Sequence, residues 1–314
     1  MHKKQITMNS IQTIENAFQK FVENRTGRNC SRATIKSYKN LLPQLREFCN
    51  TSESIEVIGS HFYEDFICFL KKKNIAEQSV ATYARLFRAF AYFLMEQGDI
   101  EEFKIRLPRA DKPLKEIYTE DELARLLKKP NVRKCSFAEY RNWVLVNYLL
   151  STGQRMNTVI NVKIGDLDLQ ERTVRLSKVK NRKATILPLS RDLSLILSEY
   201  LRYRGGEESD YLFCTEFGEQ FTNYGLTTAI RRYNHRRGVK KTSIHLFRNT
   251  YAKYYLMNGG DAFRLQKLMC HADIATTKQY LNLSVRDLQQ DYDRLNPLNN
   301  VGKPREKVEM KKVL

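Results

Sequence analysis

The chain has 314 residues, 42% hydrophobic and 28% charged, with a formal net charge of +19. These proportions exclude a wholly disordered chain and supply apolar mass for two cores. Sparse Gly and Pro (13 and 7) exclude a collagenous or low-complexity chain. No apolar run reaches the roughly 18 residues of a membrane span, and the start MHKKQITMNSIQTIENAF lacks the apolar core of a secretory signal. The positive excess favours a polyanionic partner, nucleic acid ahead of an anionic membrane surface. Six cysteines, at 30, 49, 68, 135, 214 and 270, form no CxxC pair. They fit neither a disulfide framework nor a zinc site, and a reducing cytoplasm is the simplest compartment.

After a tail at 1–9, residues 10–104 read as a compact domain of four helices with no strand pattern. Ser10 is the expected cap of the first, whose apolar positions are Ile11, Ile14, Phe18 and Phe21. Ser31 is the expected cap of the second, with Ile35, Tyr38, Leu42 and Leu45 on one stripe. A third spans 61–72. The fourth spans 78–97, with Val80, Tyr83, Phe87, Phe90 and Leu94 on one face and Gly98 as its stop.

Residues 105–117, IRLPRADKPLKEI, hold two prolines and a run of basic side chains, and read as an extended basic linker. A second domain, 118–296, opens with the capping-box pattern Thr119-Glu-Asp-Glu122. A buried helix is expected over 143–150, then a break at Gly153. Residues 173–189, TVRLSKVKNRKATILPL, alternate as strand, basic turn and strand. Helices are expected near 191–203, 223–236, 245–257, 261–269, 274–283 and 285–294, before a basic tail at 297–314. The fold class is therefore mainly α, with a small β-hairpin or sheet in the second domain.

Three stretches of the second domain carry chemistry: Arg155 after the Gly153 turn, His245 and Arg248 in IHLFRNTYA, and His271 and Tyr280 in LMCHADIATTKQYLN. Lys180 lies on the hairpin between the first two. His245 and Arg248 are three apart on one helix and share a face. Arginine presents a planar fork that grips two phosphate oxygens without losing its charge. Preorganised donors of this kind stabilise the charge that spreads over a phosphoryl transition state. A tyrosine, with a pKa of about 10, needs such a cationic setting to act as a nucleophile. A lysine can protonate the leaving oxygen. No Asp/Glu cluster suggests a metal, so the arginines stand where ions would, and no cofactor is expected.

The joint order Arg, Lys, His-x-x-Arg, His, Tyr resembles the tyrosine recombinase family, the phage-integrase type. Thr152-Gly153-Gln154-Arg155 matches the family's TGxR segment. Counting back eight residues from Pro188 gives Lys180 as the hairpin lysine, with Lys178 and Lys183 as fallbacks. His245-Leu246-Phe247-Arg248 matches the HxLR box, Met269-Cys270-His271 stands for the LGH box, and Tyr280 follows nine residues on. Three positions depart: Thr158 where an acidic residue is common, Asn249 where His is common, and Met-Cys for Leu-Gly.

The resemblance implies a helical, SAM-like core-binding domain and an α+β catalytic domain that close on DNA as a C-shaped clamp. It implies that Tyr280 attacks a DNA phosphate to give a 3′-phosphotyrosine link and a free 5′-hydroxyl. Arg155, Arg248, His245 and His271 would hold the phosphate, and Lys180 would protonate the leaving oxygen. Strand exchange through a Holliday junction would need neither ATP nor metal. The expected partners are double-stranded recombination sites and three further protomers, a monomer in free solution becoming a homotetramer on paired sites. The resemblance also allows an accessory directionality factor and involves no membrane, with a DNA-associated cytoplasmic location. Candidate DNA contacts are Arg32, Lys36 and Lys39, Arg85 and Arg88, Arg109 and Lys112, and Arg231 and Arg232, the last two opening a run continued by Arg236 and Arg237. Two other readings compete: a DNA-binding regulator that keeps the fold without recombining, and a type IB topoisomerase sharing the covalent step.

Overall fold

The computed structural model describes residues 12–109, 116–176, 185–271, 273–278 and 280. The chain divides into two compact units, Met1–Pro113 and Leu114–Leu314.

The first unit is helical. Helix α1 (Ile14–Gly27) is capped by Thr13, whose hydroxyl accepts the Asn16 N–H at 3.2 Å. Thr13 thus replaces the expected Ser10, which lies outside the described residues. Ser31 caps the next helix as expected, but one helix becomes two: α2 (Arg32–Lys39) and α3 (Leu41–Phe48). The cause is Pro43, which has no N–H for the Lys39 carbonyl and whose ring crowds it. Helix α4 (Ser60–Lys72) and α5 (Glu77–Gln97) follow, α5 ending at Gly98 in the left-handed region with φ of 73°. The described residues of this unit therefore hold five α-helices, not four.

Its core is aromatic. Phe90 meets Phe18 edge-on at 5.2 Å and Phe21 at 5.6 Å, and Phe66 lies 5.5 Å from Phe87. Ile105 is buried in the same core, and the Tyr63 hydroxyl donates to the Arg106 carbonyl at 2.8 Å. The stretch expected to be free linker from 105 onward thus begins as part of this unit. Burying one isoleucine stabilises that attachment by about 1.5–3 kcal/mol.

In the second unit, α6 (Glu120–Leu127) starts at the expected capping box: Thr119 accepts from Glu122 N–H, and the Glu122 carboxylate accepts from Thr119 N–H. Helix α7 (Phe137–Thr152) outruns its expected start because Ser136 caps it. It is apolar on nearly every side and is packed by α6, by α9 (Arg191–Arg204), by α10 (Asn223–Arg236) and by α11 (Ile244–Met257). A helix apolar all round belongs at the centre of a core. Gly153 ends α7 with φ of 59°, and α8 (Met156–Val159) is a single turn.

The hairpin forms as β2 (Thr173–Leu176) antiparallel to β3 (Thr185–Pro188), and β2 buries Val174 and Leu176 while exposing Arg175. A short β1 (Leu167–Asp168) pairs with β2 and was not anticipated. Helix α12 (Ala262–Leu268) and α13 (Ile274–Lys278) complete the described residues. Lys112, the hairpin turn with Lys178, Lys180 and Lys183, the expected helix at 285–294 and the tail at 297–314 lie outside them.

Candidate active site

The site is built around the turn between α12 and α13. Three successive carbonyls of that turn accept from the other two stretches. Leu268 accepts from Gln154 Nε2 at 3.0 Å, Met269 from Arg248 Nη2 at 2.8 Å, and Cys270 from Arg155 Nη1 at 3.1 Å. Arg248 Nη1 also donates to the Gly153 carbonyl at 2.5 Å. The two arginines, 93 positions apart in sequence, thus share one scaffold. Cys270 takes the left-handed conformation, φ of 50°, at the position where the LGH pattern has glycine. A non-glycine residue there costs about 1–2 kcal/mol.

Gly153 is required by space as well as by its positive φ. A Cβ at this position would lie 2.3 Å from the Tyr251 ring. The chain must turn tightly here, because Arg155 leaves the end of α7 directly toward the α12–α13 turn.

Arg248 is 2% exposed on α11, and His271 and Tyr280 are buried beside it. Its Nη2 lies 2.6 Å from His271 Nε2, while His271 Nδ1 lies 2.8 Å from the Thr277 hydroxyl on α13. The imidazole and the Tyr280 ring are parallel, with centroids 6.4 Å apart. The Tyr280 hydroxyl donates to Asn249 Oδ1 at 3.2 Å. Burial pushes the Tyr280 phenol above its ordinary range, and the charges of Arg248 and Arg155 work against that rise. Burial, then the nearby Arg155 charge, brings the Arg248 guanidinium down to about 10, so it stays cationic at neutral pH. Arg155 is half-buried and His245 is exposed at the first turn of α11, one turn from Arg248.

The structure therefore brings Arg155, Arg248, His271 and Tyr280 together and sets His245 at the edge. Lys180 lies outside the described residues. Sequence reasoning missed Gln154 and Thr277 as supports, and treated Asn249 only as a departure. Their signal was adjacency: each lies within three positions of a chosen residue. Among the described residues no group of His, Cys, Asp and Glu could hold a metal ion, and no helix is long and apolar enough to cross a membrane.

Of the DNA-contact candidates, Arg32, Lys36 and Lys39 are exposed along one stripe of α2. Arg85 is exposed and Arg88 half-buried on α5, and Arg109 is exposed. Arg231 and Arg232 are exposed on α10, with Arg232 lining a hollow shared with Glu139 and Arg236. Arg237 does not extend that run as a free contact. It donates to the Arg125 and Lys128 carbonyls and lies 3.7 Å from Glu139.

Sequence comparison matches residues 116–286 to the phage integrase family and residues 3–98 to the phage integrase SAM-like domain. With more than half of its length matched by the first, the chain belongs to the phage integrase family, the tyrosine-type site-specific recombinases. Similar relatives include the tyrosine recombinase XerD of Listeria innocua, 25% identical over 277 residues, covering 84% of this chain and 92% of that protein. The tyrosine recombinase XerC of Oceanobacillus iheyensis is 24% identical over 310 residues, covering 94% and 100%. Among solved structures, the Tn1549 transposon integrase in complex with transposon right end DNA shares the fold, with a TM-score of 0.71 at 18% identity over 90% of this chain and 99% of that one. A regulator that keeps the fold without recombining is not favoured, since these relatives are recombinases.

Proposed function

We propose that this recombinase cuts and rejoins duplex DNA through a covalent bond to Tyr280. The Tyr280 oxygen attacks a backbone phosphorus and the P–O5′ bond breaks. The enzyme is left joined as a 3′-phosphotyrosine and the other strand end becomes a 5′-hydroxyl. The phenolic proton passes to solvent, and Lys180 gives a proton to the departing 5′ oxygen. Arg155 and Arg248, with His245 at the rim, hold and neutralise the phosphate, and His271 steadies the Arg248 fork by accepting from it. A 5′-hydroxyl of a second strand then reverses the step, passing through a Holliday junction. The phosphodiester energy is kept in the tyrosyl link, so the exchange runs without ATP, and the guanidinium pair supplies the charge that a metal would otherwise provide.

The observation that carries this reading is the buried Tyr280 phenol within reach of the positive charges of Arg248 and Arg155, both arginines bonded to the same α12–α13 turn. A phosphate seated against both forks would meet that oxygen directly, which is the orientation that lowers the barrier most.

The chain would act as a homotetramer on paired double-stranded sites, a monomer in free solution, open to an accessory directionality factor, and associated with DNA in the cytoplasm. The exposed stripe of α2, Arg85 and Arg88 on α5, Arg109, Lys112, and Arg231 and Arg232 on α10 would contact phosphates. Such contacts release counterions and make binding fall steeply with salt.

The test is covalent trapping. The protein is incubated without metal with a pool of duplexes that carry a randomised centre and one nick, then run on a denaturing gel. A protein–DNA adduct is expected. Retardation of the DNA on a native gel with no adduct would contradict the reading.

A further inference from the structure

The residue after Arg248 has no assigned part in the chemistry, yet its amide lies against the Tyr280 hydroxyl. We propose that Asn249 is a positioning residue, its side-chain oxygen accepting the phenolic hydrogen of Tyr280 and so fixing where that hydroxyl sits beside Arg248. This rests on Tyr280 being the nucleophile.

The orientation of the amide is set by its other partner. Asn249 Nδ2 lies 3.3 Å from the Glu116 backbone carbonyl, which can only accept. The NH2 end must therefore face Glu116, and Oδ1 must face Tyr280. An amide oxygen has no proton to give, so across the 3.2 Å contact the phenol must be the donor. The positive charges of Arg248 and Arg155 act on the same phenolic oxygen. The hydroxyl rotor is thus set by the Asn249 acceptor. An amide oxygen is far too weak a base to take the proton at neutral pH, so Asn249 acts by placement, not as a general base.

The amide is held from behind as well. Asn249 is buried at 7% exposure. The next residue, Thr250, accepts the Tyr118 N–H at 3.0 Å. Lys241 donates to the Ile117 carbonyl and to the Glu122 carboxylate, both at 2.9 Å, and sits 3.5 Å from the Glu116 carboxylate. The segment 116–118 is therefore pinned at three successive residues, and through Asn249 it sets the position of the Tyr280 oxygen. In the family pattern this position is commonly His, whose neutral ring nitrogen can accept the same bond.

The experiment compares wild type, Tyr280→Phe, Asn249→Leu and Asn249→His in single-turnover adduct formation on the nicked pool, at saturating protein, from pH 5.5 to 8.5. DNA retardation and thermal unfolding are measured alongside. Wild type is expected to form the adduct and Tyr280→Phe to form none. Asn249→Leu, close in volume but without an acceptor, should bind DNA as wild type does and form adduct at least about tenfold more slowly, the order of loss that a misplaced reacting group brings. Asn249→His should approach the wild-type rate at pH 8.5 and fall away from it below about pH 6.5, where an imidazolium can no longer accept. The rate is taken relative to wild type at each pH, because His271, His245, Cys270, Arg155, Arg248 and the Glu116–Lys241 pair surround the same site in every variant.

Wild-type speed in Asn249→Leu overturns the inference, as does an Asn249→His variant no faster than Asn249→Leu at pH 8.5. Either result leaves Tyr280 as the nucleophile. An adduct that persists in Tyr280→Phe, or none in wild type, overturns the nucleophile itself and the placement with it.

Discussion

Arg248 and His271 are in direct contact, Nη2 to Nε2 at 2.6 Å, and that contact fixes the imidazole's tautomer. A guanidinium has no acceptor, so Nε2 must accept and carries no proton. The proton then sits on Nδ1 and points at the Thr277 hydroxyl 2.8 Å away. Thr277, fully buried on α13, therefore orients the histidine that lies against Arg248. Replacing it with the near-isosteric valine leaves the Nδ1–H unpartnered. Thr277→Val should slow adduct formation by about tenfold, equivalent to about 1.4 kcal/mol. Single-turnover kinetics on nicked DNA measure this, and an unchanged rate would remove Thr277 from the account.

The two arginines should separate in stability. Arg248 is almost fully buried; its removal strands the Gly153 carbonyl and leaves Met269 only the 3.5 Å contact from Arg155. Each stranded buried acceptor costs about 1–3 kcal/mol. Arg155 is half-buried and its loss is partly made good by water. Arg248→Ala should lower the melting temperature markedly and Arg155→Ala only slightly, while both abolish the adduct. Calorimetry on the two variants decides it, and equal melting temperatures would contradict the difference in burial.

Much of this arrangement was legible in the sequence, and the limits were physical. The glycine turn before Arg155, the His-x-x-Arg spacing on one helix, the capping box at Thr119 and the cap at Ser31 are local patterns, and they form as expected. What escaped depends on contacts between distant residues. Gln154 reaches Leu268, and Asn249 reaches Tyr280, across separations that periodicity does not encode. Ile105 read as linker because the stretch it opens is basic and holds two prolines, yet it is buried in the aromatic core. The single helix expected after Ser31 followed the apolar stripe and overlooked Pro43.

Gly153→Ala should be poorly tolerated. It meets the Tyr251 ring at 2.3 Å and holds φ of 59°. Strain and overpacking together cost about 2–4 kcal/mol. Gly98→Ala shares the positive φ, 73°, but its Cβ enters open space, so only the conformational cost of about 1–2 kcal/mol applies. Chemical denaturation of both variants should rank them in that order, and the reverse order would contradict the close approach at Gly153.

Alkali should unfold the second unit. Burial pushes the phenols of Tyr118, Tyr148, Tyr200 and Tyr233 well above their ordinary value. The unfolded chain releases these protons near pH 10, whereas the folded chain holds them to higher pH. The stability they contribute is therefore complete below about pH 10 and is lost as pH rises beyond it. Tyrosinate absorbance should appear cooperatively with loss of helical signal. A gradual titration centred near pH 10 with helicity intact would contradict it.

If Tyr280 is the nucleophile, one side chain alone carries the covalent bond to DNA. The adduct from nicked DNA would be digested with nuclease and protease, and the nucleotide-bearing peptide sequenced by mass spectrometry. A phosphodiester remnant is expected on Tyr280 and on no other residue. A remnant on any of the other tyrosines, or on a serine, would contradict it.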